Sequence, residues 1–292
     1  MEYINKIICG DNREIMFNMP DNSVDLIFTD PPYNKNYPYK DYNDNRIDYW
    51  DWLQNIFIEI NRVLKPNSSI YVKQDLDNIY NMMTILNKIA DYKNVINWKN
   101  QSQGHPPSNY DKFAEIILFY TKGKPIFNTY AEKRIKPENY WSGCGKIFKG
   151  KMSNYWDDIK PVFSGCVHNK EAEIDIKTNK KYHSCQMPTG IAKRAILFSS
   201  NKGDIILDPF VGSGTTAVAC IELKRKYIGI DNNKEYCEIA NKRIRAIPET
   251  LFDIPDEGGY FNIKEHYYKE FYVIAWGMNR KSYIRFEDII II

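Results

Sequence analysis

Three short apolar runs, VDLIFTD at 24–30, DIILD at 204–208 and YIGID at 227–231, each end on an aspartate. A continuous apolar run of that length suits a strand buried on both faces, and the closing carboxylate marks where the chain leaves the core. Between such runs lie stretches with helical spacing. DYWDWLQNIFIEINRVL places Trp52, Ile56, Ile60 and Val63 on one face, the stripe a helix needs to pack on a sheet. Strand-length and helix-length runs in alternation restrict the chain to α/β architecture.

The same reading gives a strand at YINKIICG and a helix over 12–19. KPNSSIYV is expected to break the long helix and start a strand, because proline cannot donate into a helical ladder. Residues 75–91 read as helix, VINWKN and EIILFYTKG as strands, and GIAKRAILFSSN, TTAVACIEL and NKEYCEIANKRIRAI as helices. NKNYPYKDYNDNR, at 34–46, is too polar for core and is expected to be a mobile loop. The stretch 124–181 is irregular, and the tail 248–292 holds two strand-like runs around a turn.

At 292 residues, 43% hydrophobic and 26% charged, the chain has the composition of a globular protein with a large core rather than of a disordered one. No apolar run approaches the roughly 20 residues of a membrane span. The opening MEYINKIICGDNREI lacks a basic stretch followed by a long apolar one, so no secretory leader is expected there. A cytoplasmic location and reduced thiols for all six cysteines follow as expectations. The net charge of +3 is unevenly spread. Residues 124–181 hold 12 Lys and Arg against 7 Asp and Glu, leaving 28 against 30 elsewhere. Eight aromatics are interleaved there, as on surfaces that meet phosphates and bases. On charge alone, a solvated loop region around a small aromatic cluster fits equally well.

Asp208 ends a strand, Gly212 and Gly214 follow, and Thr215 opens a helix. Glycines there let the backbone turn tightly and a ligand approach the positive end of the helix. A phosphate loop of the Walker type needs a lysine after the last glycine, and Thr215-Thr216 stand there instead. A dinucleotide fingerprint tolerates Gly212-Ser213-Gly214-Thr215-Thr216-Ala217. Asp231, closing the next strand, suits ribose hydroxyls in a dinucleotide or an S-adenosylmethionine site. Asp208 separates the two: beside the loop its carboxylate repels a pyrophosphate and suits the ammonium of a methionine moiety.

In FTDPPYN, Pro31 and Pro32 stiffen the backbone and remove two donors. Asp30 and the Pro31 carbonyl can then accept from an exocyclic NH2, while Tyr33 stacks on the ring bearing it. An amine conjugated to a heteroaromatic ring is a poor nucleophile. Two acceptors draw its hydrogens out of the ring plane and restore a lone pair. A plain strand-to-turn punctuation is the bland alternative.

Taken together, TDPPYN and DPFVGSGTT closely resemble the S-adenosylmethionine-dependent DNA amino-methyltransferases, and the order in which they occur looks like the permuted beta group of that family. The resemblance covers about 4–123 and 183–246, including IICGDNREI, RVLKPNSSIYV and HSCQMPTGIAKRAILFSSNKGDIILDPF. It implies a Rossmann-like, doubly wound, mostly parallel sheet in which the strands ending at Asp30 and Asp208 are neighbours. It divides the chain into a catalytic half (1–123), an inserted target-recognition region (124–181), a cofactor-binding half (182–247) and an extension of unknown role (248–292). Catalysis falls to Asp30, Pro31, Pro32 and Tyr33. S-adenosylmethionine is expected to touch Asp11 with its adenine, Asp231 with its ribose, and Asp208, Phe210, Gly212 and the backbone of Gln186, Met187 and Pro188 with its methionine end, with Gly214 and Thr215 also counted to the cofactor site. Met187 replaces the lysine usual there, which removes any ionic role. The partner implied is double-stranded DNA with the target base flipped out, in a restriction-modification setting, and loop 34–49 is expected to close over that base. An initial Asp in the catalytic motif goes with adenine N6 and Ser with cytosine N4, so adenine is favoured and cytosine N4 is the alternative.

An amine on RNA as the target, a nicotinamide oxidoreductase, which leaves the Asp30 loop without a task, and a non-catalytic DNA-binding protein are the remaining readings. Cys144, Cys166, His168, His183 and Cys185 lack a tight C-x2-C pair, so no metal is expected. His105 reads as a loop residue, and the tail beyond 248 as a sheet-packing element, a DNA surface or a homodimer contact.

Overall fold

The strand ending at Thr29 and the strand ending at Asp208 do lie side by side, with register Ile206↔Leu26 and Leu207↔Ile27. The computed structural model describes residues 1–37, 42–100, 114–128, 134–135, 147–148, 152–159, 161–162, 174–175, 180–181 and 186–247. These fall in one unit, Met1–Ile254; a second unit, Pro255–Ile292, lies outside the described residues, as do the expected strands of the tail.

Eight strands form the main sheet: β1 (Lys6–Cys9), β2 (Val24–Thr29), β3 (Leu64–Gln74), β4 (Asp91–Lys99), β5 (Ala114–Lys122), β6 (Tyr155–Trp156), β7 (Ile205–Asp208) and β8 (Lys226–Asp231). Their spatial order is β1-β8-β7-β2-β3-β5-β4-β6. The first five in that order are parallel, and β5 runs antiparallel to both β3 and β4. Two further two-stranded ribbons pair Arg134–Ile135 with Ile147–Phe148 and Ile174–Asp175 with Lys180–Lys181.

Among the described residues, six helices cover the sheet: α1 (Asn12–Phe17), α2 (Tyr49–Val63), α3 (Ile79–Leu86), α4 (Thr189–Ser199), α5 (Thr215–Glu222) and α6 (Lys234–Arg245). The pleat divides the strand residues between two cores. Ile70, Val72, Ile116, Leu118 and Tyr120 join the face packed by α1, α2 and α3. Tyr71, Ile117 and Phe119 join the face packed by α4 and α5. From β2 the chain moves outward to β3, and from β7 it moves the other way to β8. This reversal between neighbouring strands leaves a crevice outside their carboxyl ends, where ligands bind in such sheets.

Several boundaries differ from the sequence reading. Helix α1 stops at Phe17 because the Asn18 amide closes it on Ile15 and Met16. The helix break and strand start expected at KPNSSIYV come one residue earlier: α2 ends at Val63 and β3 begins at Leu64. The expected helix over 75–91 is a short 3-10 turn at Leu76–Asn78 followed by α3, and Asp91 already starts β4. The polar run DYKN is strand because it extends along β5, with its outer side exposed to water. Within the expected insertion, Tyr155–Trp156 adds a strand beside β4.

The stretch expected to be a mobile loop is pinned at both ends. Asp44 is 2% exposed, and its carboxylate accepts from the Asn34, Lys35 and Tyr37 amides at 2.8, 2.9 and 3.1 Å. Asn34 closes the loop base by donating to the Arg46 carbonyl and accepting from its amide. Residues 38–41 lie outside the described residues.

Candidate active site

A cavity of about 850 Å³ opens at the crevice and is lined from both halves of the chain. Asp30, Pro31, Pro32 and Tyr33 come from the loop after β2, and Pro209, Phe210 and Gly212 from the loop after β7. Asp11 stands after β1, Asp231 at the end of β8, and Gln186 and Met187 just before α4.

Each loop is held by its own hydrogen bonds. In the Asp30 loop, the Pro32 carbonyl accepts from the Tyr49 hydroxyl and the Tyr33 carbonyl from Asn78 at 2.7 Å. The Pro31 carbonyl is not drawn into that framework. The glycine loop turns through left-handed backbone at Gly212 (φ 50°) and Gly214 (φ 86°). The Val211 amide donates to Ile230, the Gly212 amide to the Asp231 carboxylate at 3.0 Å, and Asn12 to the Pro209 carbonyl at 3.0 Å. Behind the loop, buried Arg243 of α6 donates to the Ser213 carbonyl at 2.7 Å.

Not every expected contact residue faces the cavity. Asp208 is 4% exposed and turned inward, accepting from the Phe210 amide at 3.1 Å and the Thr216 hydroxyl at 2.5 Å. Burial pushes its carboxyl up to about 7, against those two hydrogen bonds. Pro188 caps α4, and Gly214 and Thr215 start α5; all three stand behind the cavity wall. The Met187 carbonyl accepts from Thr215 at 3.3 Å, which ties the two loops together. At the rim, Asp11 caps α1 through the Arg13 amide at 2.8 Å. Its hydrogen bond to the Arg13 guanidinium holds its carboxyl below the usual range. Burial pushes Asp231 up, although the amides of Asn233 and Gly212 oppose this.

The sequence reading missed partners of Asp30 that also line the cavity. Lys73, near the end of β3, is 5% exposed and reaches the Asp30 carboxylate at 3.2 Å. It also contacts the Tyr33 hydroxyl and pairs with Glu115 of β5. Tyr33 in turn donates to Asp30 at 2.7 Å. The signal was present, since an apolar strand run ending SIYVKQ carries a lysine where the core continues, but only neighbouring strands reveal its partners. Trp52, whose indole meets Phe210 edge-on at 5.7 Å and lies under Arg46 at 4.8 Å, was read only as helix face.

The lining suits a cationic nucleoside better than a polyphosphate. Five carboxylates (Asp11, Asp30, Asp75, Glu115, Asp231) face three cations (Arg13, Arg46, Lys73), and no lysine stands in the glycine loop. The volume lies in the upper part of the roughly 300–1,000 Å³ typical of small-molecule sites.

A family profile described as DNA methylase matches residues 24–242. The chain belongs to that family of DNA methylases. This methylase is 36% identical over 250 residues to the Type II methyltransferase M.HpaI of Haemophilus parainfluenzae, covering 82% of this chain and 74% of that one. It is 32% identical over 247 residues to the DNA adenine methyltransferase YhdJ of Escherichia coli (strain K12), covering 82% of each. Among solved structures it resembles the M1.HpyAVI–SAM complex, with TM-score 0.52, 27% identity, and coverage of 82% of this chain and 98% of that one. The cytosine-N4-specific PvuII DNA methyltransferase shares the fold at TM-score 0.60 and 19% identity, over 85% of this chain and 89% of that one. The methylase is thus an S-adenosylmethionine-dependent enzyme with a DNA substrate and a Rossmann-like, mostly parallel sheet. Among the described residues no helix is long and apolar enough to cross a membrane, and no cluster of three or more His, Cys, Asp or Glu stands ready for a metal. The cysteines and histidines weighed for zinc, and His105, lie outside the described residues.

Proposed function

We propose that this methylase modifies the N6 amine of an adenine turned out of duplex DNA, with Asp30, Pro31, Pro32 and Tyr33 as the amine clamp. The observation that carries the proposal is the single cavity shared by that loop and the glycine loop. The name of the YhdJ relative supports adenine as the base. The Type II names of other relatives support a restriction-modification setting, and the cytoplasm is the compartment that goes with it.

Bound in this cavity, S-adenosylmethionine supplies a methyl group on a positively charged sulfur. Asp11, Gln186, Met187, Phe210, Gly212 and Asp231 would hold it, since these line the wall across from Asp30. Asp208, Pro188, Gly214 and Thr215 shape that wall from behind. Asp30 and the Pro31 carbonyl accept the two amine hydrogens, which pulls nitrogen density out of the ring plane. Tyr33 offers its ring face to the base once its hydroxyl leaves Asp30. The proton that the methylated amine must lose has Asp30 as its nearest acceptor. Extruding the base costs a few kcal/mol of stacking and pairing, which contacts of this kind offset. The domain division at 123/124, 181/182 and 247/248 belongs to the same proposal. The basic stretch 124–181 is its DNA-reading region, and Pro161 and Val162 within it line the cavity.

The test is Asp30→Ala. Methyl transfer to duplex DNA should fall by at least about 10²-fold, the usual cost of removing one well-placed polar partner from a reacting group. S-adenosylmethionine affinity by calorimetry should stay within a few-fold. Nucleoside mass spectrometry of DNA from expressing cells should show N6-methyladenine. Normal turnover by the variant would end the clamp reading, and N4-methylcytosine would replace the base.

A further inference from the structure

Strand pairing alone puts three charged groups on one side of the crevice. Parallel register Thr29↔Val72 sets Asp30 beside Lys73. Antiparallel register Lys73↔Ile117 puts Glu115, two residues before Ile117, on the same face of the sheet as Lys73. The outcome is a lysine whose side chain is 7% exposed, held between a carboxylate 15% exposed and the reacting loop's own carboxylate, 21% exposed. A buried cation costs several kcal/mol unless it is paired, so its placement beside the acid that must act as acceptor calls for an explanation. All three line the cavity.

We propose that Lys73 is the positioning residue of the amine clamp: wedged between Asp30 and Glu115, it keeps the Asp30 carboxylate ionised and aimed at the cavity when the base displaces the Tyr33 hydroxyl. The inference rests on the reading of Asp30 as the amine's acceptor. Without the base, Asp30 is satisfied twice, by Tyr33 at 2.7 Å and by Lys73 at 3.2 Å. Entry of a base takes Tyr33 away, and the ammonium is then the group that holds the carboxylate's charge and direction. Glu115 keeps that ammonium from swinging into the cavity, where it would repel a sulfonium.

Burial pushes Asp30 towards the protonated form, while Lys73 and Tyr33 oppose it and Glu115 adds to it. Lys73, for its part, loses charge stability to burial and regains more from Asp30 and Glu115, so it stays protonated. Among the described residues, Asp208 at the end of β7 and Tyr49 of α2 also feel the Asp30 charge. The two neighbours of opposite sign therefore predict opposite shifts. A protonated Asp30 can donate but no longer accepts well, so methyl transfer has an acid limb set by this group.

The experiment measures single-turnover methyl transfer to saturating duplex DNA with saturating S-adenosylmethionine across pH 5–9. For Lys73→Met the acid limb should move to higher pH by about one unit or more, the usual effect of one opposite charge at this range, with most of the rate returning at high pH. Lys73→Arg should restore a limb close to wild type. For Glu115→Gln the limb should move to lower pH. An unmoved limb in Lys73→Met, or equal loss at every pH in Lys73→Met and Glu115→Gln, would overturn the proposal and leave Lys73 a structural ion pair. If Lys73→Met fails to bind S-adenosylmethionine by calorimetry, Glu115→Gln decides, and an upward or absent shift overturns the proposal. A wild-type protein that transfers no methyl to a base amine would instead sink the reading of Asp30, and the inference with it.

Discussion

Asp208 shows how one residue can serve the site without facing it. Its carboxylate accepts from Phe210 and Thr216, and burial pushes it up to about 7, against about 3.9 for a free aspartate. A folded-state value above the unfolded one means stability fully present below about pH 4 and lost as pH rises through 7. Asp208→Asn keeps both hydrogen bonds within reach and removes the titration. Its melting temperature should therefore gain on the wild type between pH 5 and pH 8, as thermal scans at the two pH values would show. An equal pH dependence in both proteins would place Asp208 in a wetter setting than the one described. Asp231 and Asp30 are also raised by burial, so the free protein carries several carboxylates whose charge the fold resists. An ordinary acidic residue in the sequence thus becomes a buried, reluctant acid only through what packs above it.

At the scale of elements, the glycine loop is shaped by packing as much as by ligand approach. A Cβ on Gly214 would stand 2.8 Å from the Ala240 Cβ of α6 and 3.0 Å from its Cα, on backbone with φ at 86°. Gly214→Ala should cost roughly 1–3 kcal/mol, or about 2–4 °C of melting temperature per kcal/mol for a unit of this size. It should also weaken S-adenosylmethionine binding, because Gly212 and Phe210 move with the loop. Undiminished stability in thermal scans would mean that α6 gives way. The loop after Tyr33 follows the same logic. Its polarity suggested motion, yet Asp44 gathers three backbone amides and Asn34 fastens to Arg46. Polar side chains that bond to nearby backbone fasten both ends of a loop that composition alone marks as loose.

Across the whole molecule, the sheet brings together segments far apart in sequence, and residues 152–159 are fastened to it. Trp98 of β4 donates to the Ile159 carbonyl at 2.8 Å. Arg194 of α4 forks onto Asp158 at 2.8 and 2.8 Å and lies over Trp156 at 5.2 Å. The Asp158 side chain is 55% exposed, so solvent screens the charge pair and packing of the guanidinium supplies the rest. Arg194→Met should cost about 1 kcal/mol and expose residues 152–162 to limited proteolysis several-fold faster, while S-adenosylmethionine affinity stays unchanged. Cleavage at the wild-type rate would show that Trp98 and β6 hold the region by themselves.

The α/β class, the two loops that line the cavity and the family were legible in the sequence, because strand-end aspartates, paired prolines and spaced glycines are local constraints that the chain carries wherever it folds. The termini of α1 and β4 were not, since capping by Asn18 and pairing along β5 override propensity there. Nor were Lys73 and Glu115, because a lysine closing an apolar strand is unremarkable until the register of two neighbouring strands sets it between two carboxylates. Which carboxylates face the cavity and which stand behind it is likewise a tertiary decision. Burial depth and charge partners depend on residues brought together from across the sheet, and no spacing along the chain encodes them.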